Sequence, residues 1–292
     1  MLNRKGGIEC DLTVTRLDRD RYYIVTGTGF ATHDFDWIKR SIPEGANATL
    51  IDLTSSRAVL ALMGPRARDI LSSCCADDVS NAAFPFMTAR EIRLAGAPVL
   101  AIHVTYVGEL GWELHIPVEF AVSVYDRLRE AGAPFGLVNA GYRAIESLRL
   151  EKGYRAWGAD IGPDHTPLMA GLGWAVKLKS DQPFQGREAL EQEATKPLAR
   201  RLVEFSVEDP EVTLLGRETI YRDGERVGWL SSGGYGYSIG QAIGYGYVRN
   251  AEGVSEEFLH AGKYELDVAG ERVRAHLSLT PFFDPKGDRL RA

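Results

Sequence analysis

The stretch 104–117, VTYVGELGWELHIP, places a carboxylate, Glu113, where Trp112, Leu114 and Ile116 alternate with Glu113 and His115. Period-two alternation marks a half-buried strand, so the acid projects steadily to one face. The preceding VLAIHVTYV is strand-like as well, and a turn at Gly108 to Gly111 would fold the two into a hairpin that carries Tyr106 towards Glu113. A carboxylate beside an aromatic hydroxyl can accept hydrogen bonds from a ligand or take up a proton. The same pattern also fits a strand carboxylate that simply faces water, because Glu is rarely buried unpaired.

Other chemistries find little support. His33, His103, His115, His165, His260 and His276 show neither HxxxH nor HExxH spacing, so no metal site is expected. No GxSxG elbow is present. The glycine cluster SSGGYGYSIGQAIGYGY (231–247) has neither the Rossmann spacing nor a Walker A ending, and its alternating aromatics read as barrel strands. Cys10, Cys74 and Cys75 form no CxxC pair and read as reduced structural thiols. The chain has 292 residues, 45% hydrophobic and 25% charged, which is the balance of a soluble globular protein with room for about two or three domains. Its net charge of -6 argues against a nucleic-acid or anionic-membrane surface, both of which need a basic field. No apolar run approaches the roughly 20 residues of a membrane span, and the start MLNRKGGIECD lacks a signal core and a transit-peptide pattern. The expected location is cytoplasmic in a bacterium or the mitochondrial matrix in a eukaryote.

The elements that must position these groups follow from periodicity and turn chemistry. Residues 8–27 read as two strands joined by a charged turn at Asp18 to Arg21. THDFDWIKRSI (32–42) has helix spacing with Thr32 as the candidate cap. TLIDLTSSRAVLALMG (49–64) is strand-rich, and GPRARDILSSCC (64–75) opens a helix with Pro65 in its first turn. Further helices are expected over EFAVSVYDRLREAG (119–132), NAGYRAIESLRLEKGY (139–154) and EALEQEATKPLARR (188–201), the last running out at Pro197. Beyond it, ETIYRDGERVGWL (218–230) and KYELDVAGERVRAHLSL (263–279) read as hairpins turning at Asp223-Gly224 and Ala269 to Glu271. The class is α+β, ending in a small all-β barrel or jelly roll.

Three blocks, MLNRKGGIECDLTV (1–14), VGELGWELHIP (107–117) and NAGYRAIESLRLEKGYRAWGADI (139–161), together resemble the folate-binding aminomethyltransferase family, the glycine-cleavage T-protein and its relatives. GLGWAVKLKSDQPFQGREALEQE (171–193) and GYGYSIGQAIGYGYV (234–248) extend the likeness over nearly the whole chain. It is strongest to the C-terminal half of sarcosine and dimethylglycine dehydrogenases. T-proteins usually carry Arg-Asp where this chain has Ile145-Glu146, with its arginine displaced to Arg143, and PFQGREAL lacks the Cys that marks the iron-sulfur assembly branch. Against that family the chain looks N-terminally truncated, by several dozen residues of the folate domain and by the flavin half of the dehydrogenases. Missing first elements would expose a sheet edge and remove core area.

The resemblance implies a three-lobed folate-binding fold, with a folate-binding region over 1–195 (first lobe incomplete, plus a second lobe) and a C-terminal β-barrel over 196–292. It implies tetrahydrofolate as cofactor, a methylated-amine-derived iminium as donor, and a flavin-containing dehydrogenase domain or subunit as partner, which would supply any oxidoreductase activity. The one-carbon unit would leave as 5,10-methylenetetrahydrofolate and the amine as glycine. By the same likeness Glu113 holds the pterin through its N3-H and 2-amino donors, and Tyr106 lines the pocket. Asp11 sits near the reactive folate nitrogen as catalytic carboxylate, with Thr13 a ligand contact. Asp11 on its own would read as a turn or cap residue. Tyr154 and Trp174 line the pocket or pack in the core, and Arg149 and Glu151 form a structural ion pair or touch ligand. The alternative reading is a non-catalytic folate-binding or regulatory module, since the pyruvate dehydrogenase phosphatase regulatory subunit resembles the same dehydrogenases.

Overall fold

The computed structural model describes residues 1–292, and the chain divides into two compact units. One comprises Met1–Asp11 with Tyr142–Pro285, the other Leu12–Gly141 with Lys286–Ala292.

In the second of these, strands β1 (Thr13–Asp18) and β2 (Arg21–Val25) form the expected hairpin, with Thr13 opposite Val25 and Thr15 opposite Tyr23. Helix α1 (Ala31–Ser41) follows. Thr32 does not cap it: the helix starts one residue earlier, is led in by the single 3-10 turn Thr28–Phe30, and has no side-chain cap at Phe30. The neighbouring Asp34 is buried instead and accepts from the Thr26 hydroxyl. Strand β3 (Arg57–Met63) leads to helix α2 (Ala67–Cys74), which begins two residues after Pro65, so the proline ends the approach rather than occupying the first turn. Strands β4 (Ala89–Leu94), β5 (Ala97–Ile102) and β6 (Gly111–Pro117) complete an antiparallel sheet of order β3-β6-β5-β4. Helix α3 (Ala121–Gly132) packs on it. Trp112, Leu114 and Ile116 are fully buried in a core with Ile70 and Leu71 of α2 and Val124 and Leu128 of α3.

Strand β5 stops at Ile102, four residues short of Tyr106, and His103 follows it. Its backbone donates to Thr88, its Nδ1 lies 2.9 Å from the Phe84 carbonyl, and its ring stacks on Trp112 with centroids 4.5 Å apart. Residues 103–110 therefore form a loop, and Tyr106 belongs to that loop rather than to a hairpin strand opposite Glu113.

The other unit holds helix α4 (Tyr142–Glu151), helix α5 (Arg187–Ala194) and strands β7 (Arg200–Val207), β8 (Thr219–Arg222), β9 (Glu225–Gly236) and β10 (Gln241–Arg249). Helix α6 (Glu256–Ala261) and strands β11 (Tyr264–Val268) and β12 (Glu271–Ser278) complete it. The six strands close into a barrel of order β10-β7-β12-β11-β8-β9, so the jelly-roll alternative falls away. Both hairpins turn where the sequence places them, with Asp223-Gly224 and Ala269-Gly270 in left-handed conformations that suit a type I′ turn. The glycine cluster forms β9 and β10, and a Cβ at Gly228 would sit 2.0 Å from the Tyr247 carbonyl oxygen.

Glu204 on β7 is buried and accepts from the Tyr245 hydroxyl at 2.7 Å. Burial pushes its carboxyl up to about 7, against an ordinary value of 4.5. An acid with a raised folded-state pKa binds more protons folded than unfolded between those values. Stability is then lost as pH climbs from 4.5 to 7 and is flat above. The loss amounts to about 3 kcal/mol. Glu204→Gln keeps the acceptor for Tyr245 and removes the titration. Urea unfolding at pH 5 and pH 8 is expected to show the variant gaining on the parent at pH 8, and an equal difference at both pH values would contradict this.

Candidate functional site

Strand β6 gives the candidate site its acid. Paired residues across an antiparallel sheet share a face, so Glu113 and His115 lie with Ala61 and Val59 of β3 on one side and Ile102 and Leu100 of β5 on the other. This is the face opposite the Trp112 core. Ala61 and Val59 are exposed, and the Glu113 side chain keeps 25% of its surface. Its Oε2 is buried without a hydrogen-bond partner. His115, on the same face as Glu113 by alternation, is buried at 1% exposure. The β1-β2 hairpin covers it: the Tyr23 hydroxyl lies 3.1 Å from His115 Nδ1, and the two rings meet edge to face at 5.2 Å. His115 Nε2 lies 3.6 Å from Glu113 Oε2. Burial pushes the Tyr23 hydroxyl up, opposed by the Arg57 guanidinium and reinforced by the Glu113 carboxylate.

Thr13 opens β1 on the hairpin face that carries Tyr23, since Thr13 pairs with Val25 and Thr15 with Tyr23. Asp11 is exposed and precedes the strand, at the end of the N-terminal segment of the other unit. That segment is well anchored. Asn3 Oδ1 accepts from the Lys5 and Gly7 amides at 3.0 Å each, Ile8 pairs with the His165 carbonyl, and Trp157 donates to the Ile8 carbonyl at 2.9 Å. A Cβ at Gly7 would meet the Pro163 carbonyl oxygen at 1.8 Å, which explains the second glycine of MLNRKGGI. Tyr106 is 37% exposed in the 103–110 loop.

Residues 1–180 match the GCVT N-terminal domain family and residues 200–284 the glycine cleavage T-protein C-terminal barrel domain. The chain belongs to the glycine-cleavage T-protein, or aminomethyltransferase, family. It is 33% identical to the aminomethyltransferase of Halothermothrix orenii over 94% of this chain and 75% of that protein. It is 43% identical to human mitochondrial sarcosine dehydrogenase, covering all of this chain but 33% of the dehydrogenase, so the chain spans about a third of that relative's length. The crystal structure of aminomethyltransferase T from Bartonella henselae superposes with a TM-score of 0.84 at 28% identity, over 98% of this chain and 75% of that one.

In this aminomethyltransferase-family chain, Arg149 and Glu151 of the third block take up structural bonds. Arg149, 1% exposed, donates to Asp160 at 2.7 Å, to Ser232 at 2.8 Å, to the Tyr154 carbonyl and to Glu146 one turn back. Glu151 is fully buried and accepts from the Ser238 amide, which holds the β9-β10 turn. Both residues thus take up structural bonds, but Glu151 is not the partner of Arg149. Tyr154 is half-buried beside Asp284, with burial raising its hydroxyl pKa and the Asp284 carboxylate adding to the rise. Trp174, in the 3-10 turn Gly173–Ala175, is 83% exposed, so core packing does not account for it. Sequence reasoning passed over Tyr23 altogether and His115 as a site residue. For His115 the signal was its place two residues from Glu113 on a strand; for Tyr23 no local signal exists.

Proposed function

We propose that the chain is the tetrahydrofolate-dependent one-carbon transfer domain of a sarcosine-dehydrogenase-like enzyme, which captures a methylene iminium as 5,10-methylenetetrahydrofolate and releases glycine. The observation that carries the reading is the Glu113 carboxylate, whose Oε2 is buried and lacks a hydrogen-bond donor on a sheet face with exposed Ala61 and Val59 beside it. An acceptor in that state fits a ligand that brings donors, and a reduced pterin brings two in parallel, N3-H and the 2-amino group. Bound tetrahydrofolate supplies the nucleophilic nitrogens for the one-carbon unit. Glu113 accepts from the pterin edge and fixes its register. Tyr106 packs against the ligand, Thr13 offers a hydroxyl from β1, and Tyr154 and the exposed Trp174 contribute aromatic wall. Asp11 takes the proton of the attacking nitrogen and offsets positive charge on the donor.

Within this proposal the folate-binding region is 1–195 and the barrel 196–292, and a flavin-containing dehydrogenase domain or subunit delivers the iminium. The setting is the mitochondrial matrix in a eukaryote and the cytoplasm in a bacterium. Glu113→Gln replaces an acceptor oxygen by a donor that opposes the pterin amine. Tetrahydrofolate binding measured by calorimetry is expected to weaken by about 1.5 to 3 kcal/mol, the range for a hydrogen bond to a charged group. An unchanged dissociation constant would return Glu113 to a solvated carboxylate. Full-strength binding by the parent without any transfer would favour the non-catalytic regulatory module.

A further inference from the structure

Behind Glu113 lies a hydrogen-bonded pair that the function above does not use. Tyr23 of β2 and His115 of β6 meet through the hydroxyl and Nδ1 at 3.1 Å, and His115 Nε2 stands 3.6 Å from Glu113 Oε2. Both of these last two atoms are buried, and neither has a hydrogen-bond partner. Two unsatisfied buried atoms of complementary type facing each other at slightly more than bonding distance is a costly arrangement unless they close on each other.

We infer that His115, held by Tyr23, is a positioning residue for the Glu113 carboxylate, presenting an Nε2-H donor that sets its rotamer for the ligand; this rests on the pterin role of Glu113. A tyrosine hydroxyl below its pKa donates, and a neutral imidazole carries one proton. When Tyr23 O-H bonds to Nδ1, the ring proton resides on Nε2 and points at Oε2. A carboxylate oxygen has two lone pairs, so Oε2 can take the His115 proton on one and a ligand N-H on the other. Contacts that are long without ligand commonly tighten in the complex. The device also fixes the hairpin face bearing Thr13 against the face bearing Glu113, because Tyr23 and Thr13 share that face of the hairpin.

The fold supports the geometry from both sides. Val59 and Leu100 flank His115 across β3 and β5, and Ala61 and Ile102 flank Glu113, so no other charged side chain on these paired positions competes for the carboxylate. Arg57, two positions beyond Val59 on β3 and opposite Pro117, lies at the far end of the His115 side, where its charge acts on Tyr23.

The test uses tetrahydrofolate binding to the full chain by calorimetry, with melting temperature recorded for every variant. His115→Leu is expected to weaken binding about tenfold. His115→Gln, whose amide N-H takes the place of Nε2-H, should bind within about threefold of the parent, whereas His115→Asn reaches only the Nδ1 position and should bind like His115→Leu. Tyr23→Phe frees the tautomer and should cost several-fold. In a Glu113→Gln background, His115→Leu should add no further loss, because the group it positions is gone. If His115→Leu fails to fold, the Gln and Asn variants decide. Equal binding by those two, or an additive loss in the Glu113→Gln background, overturns the inference. A Glu113→Gln variant that binds like the parent would defeat the pterin reading itself, which separates the two failures.

Discussion

Asp11→Asn is expected to slow methylenetetrahydrofolate formation by about 10² to 10⁴, the usual worth of a positioned acid-base group, while tetrahydrofolate affinity changes only a few-fold. Asparagine is nearly isosteric but cannot take a proton or offset positive charge on the donor. The residue stands on a firm mount. Cys10 before it is buried, Ile8 and Glu9 are tied by backbone bonds, and Asp11 itself is exposed where the anchored segment gives way to β1. In the proposed site Glu113 still holds the pterin when Asp11 is changed, so binding and transfer separate. Sarcosine with an added flavin half, or formaldehyde with glycine, supplies the one-carbon unit for a single-turnover measurement. Melting temperature and affinity are read on the same variant. A structural Asp11 would lower stability and affinity together without a selective loss of rate, and that outcome removes it from the catalytic role.

Arg149→Met is expected to destabilise the protein by about 3 to 5 kcal/mol in urea unfolding. The side chain is buried and ties α4 to Asp160 and to Ser232 of β9. Methionine replaces only the aliphatic stem and leaves Asp160, which is fully buried, with the Ser231 hydroxyl and the Ala156 amide as its remaining donors. The cost comes mainly from that uncompensated charge rather than from the lost bonds. Arg149→Met combined with Asp160→Asn should therefore recover part of the loss, giving a favourable coupling in the double-mutant cycle. Simple additivity of the two losses would show that the pair does not act as a unit.

The candidate site was legible in part. Glu113 lies on a strand with its acid away from the Trp112 core, as alternation requires. The apolar, β-branched run VLAIHVTYV predicts a strand through Tyr106, yet β5 ends at Ile102, where the His103 side chain takes up contacts with Phe84 and Trp112. A period-two pattern cannot report those contacts, because the partners lie elsewhere in the sequence. The same holds for His115, which alternation places on the face of Glu113 and the hairpin buries.

What the sequence by itself determined is the order of strands and helices, the α+β class, the membership of the family and the two barrel turns. These rest on properties confined to a few neighbouring residues: side-chain period, and the left-handed conformations at Asp223-Gly224 and Ala269-Gly270. Only the tertiary structure decided that six strands close into a barrel, that Arg149 is a buried cross-link, that burial pushes the Glu204 carboxyl up to about 7, and that Tyr23 stands behind His115 and Glu113. Each of these depends on which distant segments exclude water from a given side chain. Burial of that kind is a sum over the whole fold, and no local stretch of sequence carries it.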